Sequence, residues 1–222
     1  MKKICQLIFT LTLMSCVYAA TAQSNQPPFW NDIQNFKKKD AQSFPPANAT
    51  LFIGSSSFTM WDNIDTYFPG YTIINRGFGG STLKDLLFYF NDLVPKYQPK
   101  QIIIYCGEND LANRETPADS AVARFQRLFK MIRNYDKKIP VAYVSIKPSP
   151  SRYEYMPKFE QTNKDIKKFL RCKRKSKYIN VYDAMLKGDG RPMSHIFLKD
   201  SLHMNQEGYK IWQKTIQPYL IK

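Results

Sequence analysis

The sequence of 222 residues has few of the side chains from which metal sites and disulfide frameworks are built. It contains four cysteines and two histidines, and Cys5 and Cys16 lie in its first 22 residues. The remaining two, Cys106 and Cys172, could form at most one bridge, and the strand-like surroundings of Cys106 favour a buried thiol. No spacing of cysteine and histidine suggests a zinc site. We therefore expect no metal and no cofactor.

A long uninterrupted hydrophobic run is also missing. The sequence opens MKKICQLIFTLTLMSCVYAATAQSNQ, in which two lysines precede a short apolar stretch interrupted by polar residues, and an Ala-Thr-Ala triplet follows. This pattern predicts a secretory signal peptide over residues 1–22 and no stable membrane span. The segment Leu13–Cys16 leaves a second interpretation open, a lipoprotein signal with a lipid anchor on Cys16. Both interpretations predict export, and the first predicts a periplasmic or secreted protein.

Acidic residues are few relative to basic ones. The chain has 33 Lys and Arg against 18 Asp and Glu, a net charge of +15, and removal of residues 1–22 would leave +13. Such an excess invites a nucleic-acid interpretation. However, the basic residues are scattered apart from concentrations at residues 37–39 and 167–177, and no nucleic-acid motif accompanies them. We therefore predict no nucleic-acid partner and interpret the charge as a solvated basic face near anionic polymers of the cell envelope.

Strand-like runs alternate with amphipathic helical patterns over residues 49–222. Five short runs are rich in Ile, Val and Tyr without strict alternation, which is typical of strands buried on both faces of a parallel sheet. They cover residues 49–54, 71–76, 101–107, 140–146 and 178–183. Helical patterns cover residues 81–97, 119–135, 156–172 and 205–220. The alternation predicts one doubly wound α/β domain, preceded by a helical lead-in over residues 23–48.

A sheet of this kind binds ligands outside the carboxyl ends of its strands. The segments that follow the predicted strands, together with the one before the last helix, are unusually rich in serine, glycine, amide, Asp and His. They are Gly54–Ser57, Gly77–Gly80, Gly107–Asp110, Lys147–Ser149 and residues 199–209. Because these segments would share one edge of the sheet, we expect a functional site there.

The residue types at this edge suit acyl transfer. A serine hydroxyl attacks a carbonyl only when a base takes its proton, and histidine suits that role at neutral pH. His203 has Asp200 three residues earlier, which lets a carboxylate orient the imidazole, whereas His195 has no carboxylate so close in sequence. The reaction also needs donors for the oxyanion, which the Gly-Phe-Gly-Gly turn and Asn109 could supply.

Four blocks carry a resemblance to a known family. In the family's order and spacing, FIGSSS, NRGFGGSTL, YCGENDL and DSLHMNQEGY resemble blocks of the GDSL (SGNH) hydrolases, a family of esterases and acylhydrolases. The match runs from about Leu51 to Tyr209. It implies a three-layer α/β/α, flavodoxin-like fold with a five-stranded, mostly parallel sheet over residues 49–222.

The resemblance also implies roles for individual residues. It places the nucleophile on Ser56, the base on His203 and the orienting carboxylate on Asp200. The implied oxyanion donors are the backbone N–H groups of Ser56 and Gly80 and the side chain of Asn109.

One position departs from the family's pattern. Ser55 and Ser57 replace the Asp and the Leu of the Gly-Asp-Ser-Leu motif, and Trp61 follows. This suggests a subgroup similar to the platelet-activating-factor acetylhydrolase-like and lysophospholipase-like esterases.

The resemblance implies an exported serine esterase that needs no cofactor. We expect its substrates to be small-molecule or glycan esters with short acyl groups, such as O-acetyl groups on glycans, or lysophospholipid-like esters. Arg76 and Lys147 are further candidates for substrate binding. Two alternatives stay open at this point: an O-acetyltransferase acting on envelope glycans, and a non-catalytic carbohydrate- or envelope-binding domain. The oligomeric state is left open.

Overall fold

The structure, a computed structural model, describes residues 26–222. The predicted signal peptide at residues 1–22 and the alternative lipid anchor on Cys16 lie outside the described residues. Asn31–Lys222 form one compact unit. Within residues 26–222 no helix has the length and apolarity needed to cross a membrane.

The centre of the fold is a sheet of five parallel strands in the order β2-β1-β3-β4-β5. This is the strand order of flavodoxin-like proteins, and it confirms the predicted fold class. The strands are β1 (Thr50–Gly54), β2 (Ile73–Gly77), β3 (Gln101–Tyr105), β4 (Val141–Val144) and β5 (Ser176–Ile179). β1 and β3 are buried along their whole length, which explains their continuous apolar sequence.

Helices cover both faces of the sheet. The long ones are α1 (Trp30–Gln42), α7 (Ala118–Tyr135), α8 (Met156–Arg171) and α9 (Gln206–Ile216). Short helices follow the first three strands: α2 (Ser56–Thr59) and α3 (Ile64–Tyr67), then α4 (Leu83–Phe88) and α5 (Phe90–Leu93), then α6 (Glu108–Leu111). Single 3-10 turns lie at Pro95–Tyr97, Pro150–Tyr155, Asp183–Met185, Ser194–Ile196 and Gln217–Tyr219.

Several element boundaries differ from the sequence prediction. β3 and β4 each end two residues earlier than predicted, and two further differences have a clear cause. The last strand ends at Ile179, because the backbone N–H groups of Val181 and Tyr182, just beyond it, both donate to the side chain of Ser145 at 3.0 Å instead of continuing the ladder. The helical pattern over residues 81–97 is divided at Tyr89, although its apolar spacing continues through the break, and Pro95 then ends it.

The core beneath α2 and α9 is aromatic. Phe58 contacts Trp212 edge-on at 6.0 Å between ring centroids, and Trp61 stacks on Tyr209 at 5.0 Å. Tyr105, at the end of β3, packs against Trp212 at 4.8 Å. The last helix is therefore attached to the turn that follows the first strand. Cys106 is a buried free thiol and Cys172 an exposed one, so the structure contains no bridge between them.

Candidate active site

The carboxyl ends of the three central strands meet at one edge. Gly54 pairs in register with Gly77 of β2 and with Tyr105 of β3. Gly54 has φ +152°, and a Cβ atom there would lie 1.8 Å from the carbonyl oxygen of Tyr105. Because any side chain would collide with β3, the chain can turn away from β1 at this point only with glycine. Ser55 and Ser56 follow directly and lie at this edge.

Ser56 is the first residue of α2 and is half-buried. Its neighbours are less accessible: Ser55 and Ser57 each have 2% of their surface exposed. Of the three adjacent serines, Ser56 is therefore the one that solvent or a substrate can reach.

His203 and Asp200 form a close pair on a tight loop. The His203 Nδ1 atom lies 2.6 Å from Asp200 Oδ2. The other carboxylate oxygen, Oδ1, accepts the backbone N–H groups of Leu202 and His203, each at 2.9 Å. The Leu198 N–H donates to the carbonyl of His203 at 2.8 Å and closes the loop. The carboxylate thus orients the imidazole from one side and leaves Nε2 to take a proton.

The charge on Asp200 is held by these hydrogen bonds. Partial burial raises the pKa of Asp200, but the hydrogen bonds from the His203 side chain and from the backbone of His203 and Leu202 outweigh it and lower the pKa to about 2. Asp200 is therefore ionised at neutral pH and stabilises positive charge on the imidazole.

The histidine loop is attached to the serine turn through α9. The Tyr209 hydroxyl donates to the carbonyl oxygen of Ser57 at 3.1 Å, and Tyr209 lies in the first turn of α9, six residues after His203. Among the described residues no hydrogen bond joins Ser56 directly to His203. The structure therefore brings the two residues to the same edge on elements that are fixed to one another, without a direct contact between them.

Asn109 connects the turns that follow β1 and β2. Its side-chain nitrogen donates to Ser55 Oγ at 2.8 Å and to the carbonyl of Ser81 at 3.1 Å. The Ser81 hydroxyl in turn donates to the carbonyl of Gly54 at 3.2 Å. Gly80, beside Ser81, is exposed and has φ +81°. The predicted oxyanion donors thus lie on three neighbouring turns that are bonded to one another.

Two carboxylates beside Asn109 hold its short helix, α6, in place. Asp110 accepts the backbone N–H of Leu83 at 2.9 Å and the Arg124 guanidinium at 2.7 Å. Burial raises the pKa of Asp110, and these two donors oppose the rise. On the other side, Glu108 accepts Lys147 Nζ at 3.0 and 2.8 Å and the Tyr105 hydroxyl at 2.5 Å.

Sequence reasoning missed these supporting residues. The sequence shows that Glu108 and Asp110 flank Asn109. It does not show their hydrogen-bond partners, because these come from distant parts of the chain. Ser55 departs from the family's motif, and the sequence does not predict the hydrogen bond that it accepts from Asn109.

Arg76 and Lys147, predicted as substrate-binding candidates, have protein partners for their charged groups. Lys147 is 1% exposed and pairs with Glu108. Arg76 pairs with Asp40 at 2.5 Å, donates to the Tyr97 hydroxyl at 2.7 Å, and its side chain is 11% exposed. Substrate binding by these two residues stays a prediction, and their contacts do not favour it.

Comparisons with known proteins agree with this architecture. The model of the GDSL-like Lipase/Acylhydrolase family matches residues 53–211. No curated protein has a sequence that matches the chain.

Solved structures share the fold at low sequence identity. A candidate platelet activating factor from Streptococcus pneumonia is 20% identical with a TM-score of 0.76, over 86% of this chain and 92% of that one. A GDSL-like lipase from Bacteroides thetaiotaomicron is 23% identical with a TM-score of 0.72, over 84% of this chain and 96% of the lipase. A variant of an acetyl-xylooligosaccharide esterase from Geobacillus is 14% identical with a TM-score of 0.63, over 79% of this chain and 96% of the esterase.

Proposed function

Because the chain belongs to the GDSL-like lipase/acylhydrolase family and is therefore an ester-hydrolysing enzyme, we propose that it cleaves carboxylic esters through Ser56, His203 and Asp200. The observation that carries the proposal is the 2.6 Å contact between His203 Nδ1 and an ionised Asp200, on a loop attached through Tyr209 to the turn that bears Ser56. Ser56 is also the accessible serine of the three.

The proposed reaction has two steps. His203 Nε2 takes the proton of Ser56 Oγ, which attacks the ester carbonyl, and the resulting imidazolium then protonates the departing alcohol. In the second step His203 Nε2 takes a proton from water, and the oxygen of that water attacks the acyl carbon. The bond to Ser56 Oγ then breaks, the imidazolium returns its proton to Ser56 Oγ, and the carboxylic acid leaves. Asp200 remains ionised throughout, because its pKa lies far below neutral pH.

The oxyanion of each tetrahedral intermediate would be held by the N–H groups of Ser56 and Gly80 and by the Asn109 amide. Both N–H bonds of that amide have acceptors in the structure, Ser55 Oγ and the Ser81 carbonyl. Stabilising an oxyanion therefore requires the N–H that donates to the Ser81 carbonyl to turn towards the substrate, while the bond to Ser55 Oγ keeps the amide in place. We therefore propose that these two hydrogen bonds hold the Asn109 amide close to the site until a substrate is bound.

We propose short acyl groups as the substrate class, with O-acetyl groups on glycans as the leading case. No long apolar insertion that could cover a lipid chain separates the four sequence blocks. The structural similarity to an acetyl-xylooligosaccharide esterase is in keeping with such a substrate. The proposal includes export of the chain, as the first 22 residues predict.

A fluorophosphonate probe tests the serine assignment. Wild type should be labelled and should hydrolyse p-nitrophenyl acetate, whereas Ser56→Ala should lose both properties, because the nucleophile is gone. Ser57→Ala is the matched control, since Ser57 is 2% exposed and should leave labelling unchanged. Labelling of Ser56→Ala as strong as that of wild type would show that the nucleophile is another residue.

A second measurement separates the hydrolase from a transferase. With p-nitrophenyl acetate as donor, free acetate should be the main product even when xylo-oligosaccharides are present as acceptors. Acetylated oligosaccharide as the main product would favour the acetyltransferase instead.

A further inference from the structure

The strongest concentration of charge lies outside the site described above. Between residues 164 and 177 eight cationic side chains are all exposed, and we refer to them as the basic ridge: Lys164, Lys167, Lys168, Arg171, Lys173, Arg174, Lys175 and Lys177. The single acid of this segment, Asp165, is half-buried and accepts the Gln161 amide at 2.7 Å. In the part of the chain that the structure describes, none of the eight forms an ion pair with a carboxylate.

The basic ridge runs along α8 beside β5 and ends at the amino edge of the sheet, opposite the candidate active site. The carbonyl of Lys175 accepts the N–H of Val141, the first residue of β4, at 3.0 Å. Ser56 lies beyond the carboxyl end of β1. Strands of four to five residues with a rise of about 3.3 Å each separate the two edges by roughly 15 Å. Lys173 and Lys175 therefore cannot contact the ester that is being cleaved at Ser56. Lys164 and Lys167 lie beside β5, three strands away from β1.

Local stability explains only part of this charge. Lys168 and Arg171 lie in the last turn of α8, where cations favour the helix dipole. Lys177 lies on the edge strand β5, where a lysine discourages pairing with another chain. The remaining five cations serve neither purpose, and they add repulsion among like charges. Such a cost is offset when an anionic partner binds.

The surface between these cations is concave. Three adjoining depressions of about 980, 620 and 470 Å³ share Lys173 in their linings. Aromatic rings lie beneath the cations, with Lys167 Nζ 5.8 Å from the centre of the Tyr178 ring and Lys173 Nζ 4.8 Å from that of Phe169. A row of depressions with cationic rims fits an extended polymer better than a single small anion.

We propose that the basic ridge binds an acidic polysaccharide, a glycan chain that carries carboxylates along its length. This proposal rests on the proposed function, because a glycan that carries acyl esters could be held at the ridge while another part of the same chain reaches Ser56. A nucleic acid offers the negative charge but no acyl ester. A membrane surface would call for apolar side chains among the cations, and the large exposed apolar residues of the described part lie outside residues 164–177.

Binding to ester-free polygalacturonate tests the proposal independently of catalysis. Wild type should bind the labelled polymer, and its affinity should fall as salt is added, because exposed charges are screened. Replacing Lys164, Lys167, Lys173 and Lys175 by Gln should weaken binding at least about tenfold, since four attractive contacts are lost. Hydrolysis of p-nitrophenyl acetate should stay unchanged, because none of these residues is near Ser56.

A matched variant removes the same charge elsewhere. Lys38, Lys39, Lys210 and Lys214 are exposed and lie outside the basic ridge, and their replacement by Gln should change affinity less than about twofold. Equal losses in both variants, or unchanged binding in the ridge variant, would overturn the proposal. The same holds if a DNA oligonucleotide or phosphatidylserine vesicles bind through the ridge while polygalacturonate does not. Failure of wild type to hydrolyse p-nitrophenyl acetate would count against the proposed function, whereas the binding result would stand by itself.

Discussion

The hydroxyls of Ser55 and Ser56, adjacent in sequence, have different surroundings. Ser55 Oγ accepts the Asn109 amide at 2.8 Å inside the protein, whereas Ser56 is half-buried at the start of α2. The residue that departs from the family's Gly-Asp-Ser-Leu pattern therefore retains one function that a carboxylate could perform there, accepting a hydrogen bond from the neighbouring amide.

We expect Ser55→Ala to lower kcat for p-nitrophenyl acetate about fivefold to tenfold with little change in KM. One hydrogen bond of about 1 kcal/mol orients the Asn109 amide, and 1.4 kcal/mol corresponds to about tenfold in rate. Asn109→Ala, which removes the donor itself, should cost roughly 10²–10³ in kcat. Steady-state kinetics measure both changes.

Ser149→Ala is a suitable control for Ser55→Ala. Its hydroxyl is equally buried and has no hydrogen-bond partner among the described residues, so kcat should stay near the wild-type value. If Ser55→Ala behaves like this control while Asn109→Ala is impaired, the Ser81 carbonyl alone positions the amide.

The four-residue helix α6 is the element on which the oxyanion assignment depends. A single helical turn is not stable by itself, so its place is decided by tertiary contacts. Glu108 is held by Lys147 and Tyr105, and Asp110 by Arg124 and the N–H of Leu83. Burial together with the Glu108 charge raises the pKa of Tyr105 well above 10.0, so its hydroxyl stays protonated and donates.

We expect Lys147→Met to lower the free energy of unfolding by about 3–5 kcal/mol, because it leaves the Glu108 carboxylate buried without its cation. Urea denaturation measures the loss. The double variant Glu108→Gln with Lys147→Met should recover part of it, since no buried charge then remains. Arg114→Ala provides the contrast, because its ion pair with Glu154 is exposed at 87% and 54% and should be worth at most about 1 kcal/mol. Equal effects of Lys147→Met and Arg114→Ala would contradict this account of α6.

At the scale of the whole molecule, the two edges of the sheet differ in character. Serines, glycines, Asn109 and the His203–Asp200 pair lie at the carboxyl edge, while the basic ridge runs along α8 to the amino edge beside β5. The pattern of residues 1–22 predicts export of the chain. Export would bring both edges of the sheet into contact with polymers outside the cytoplasm.

Export predicts a shortened N-terminus. Expressed at its full length in a bacterial host, the protein should be recovered outside the cytoplasm with residue 23 as its first residue, because residues 1–22 have the pattern of a cleaved signal. Mass spectrometry of the intact protein measures this. A lipid-modified Cys16 at the N-terminus would identify the lipoprotein alternative, and an uncleaved cytoplasmic chain would contradict export.

The sequence by itself determined the class of the fold and predicted the edge at which the candidate site lies. Strands buried on both faces are mostly apolar, as residues 51–53 of β1 and 102–104 of β3 are, so their alternation with amphipathic helices was sufficient to predict a doubly wound sheet. Asp200 and His203 are three residues apart, and their 2.6 Å contact follows from local geometry. A contact between residues close in sequence can be predicted, because it depends on the backbone conformation of only the few residues between them.

The tertiary structure alone decided which partners the other residues have. Ser55 and Asn109 are 54 positions apart, Glu108 and Lys147 are 39 apart, and Ser57 and Tyr209 are 152 apart. The end of β5 likewise depends on Ser145, a side chain from the neighbouring strand. From its sequence Lys147 was a candidate for substrate binding, and in the structure it is buried and paired with Glu108. These contacts form only when strand order and helix packing bring distant segments together, so no local pattern encodes them.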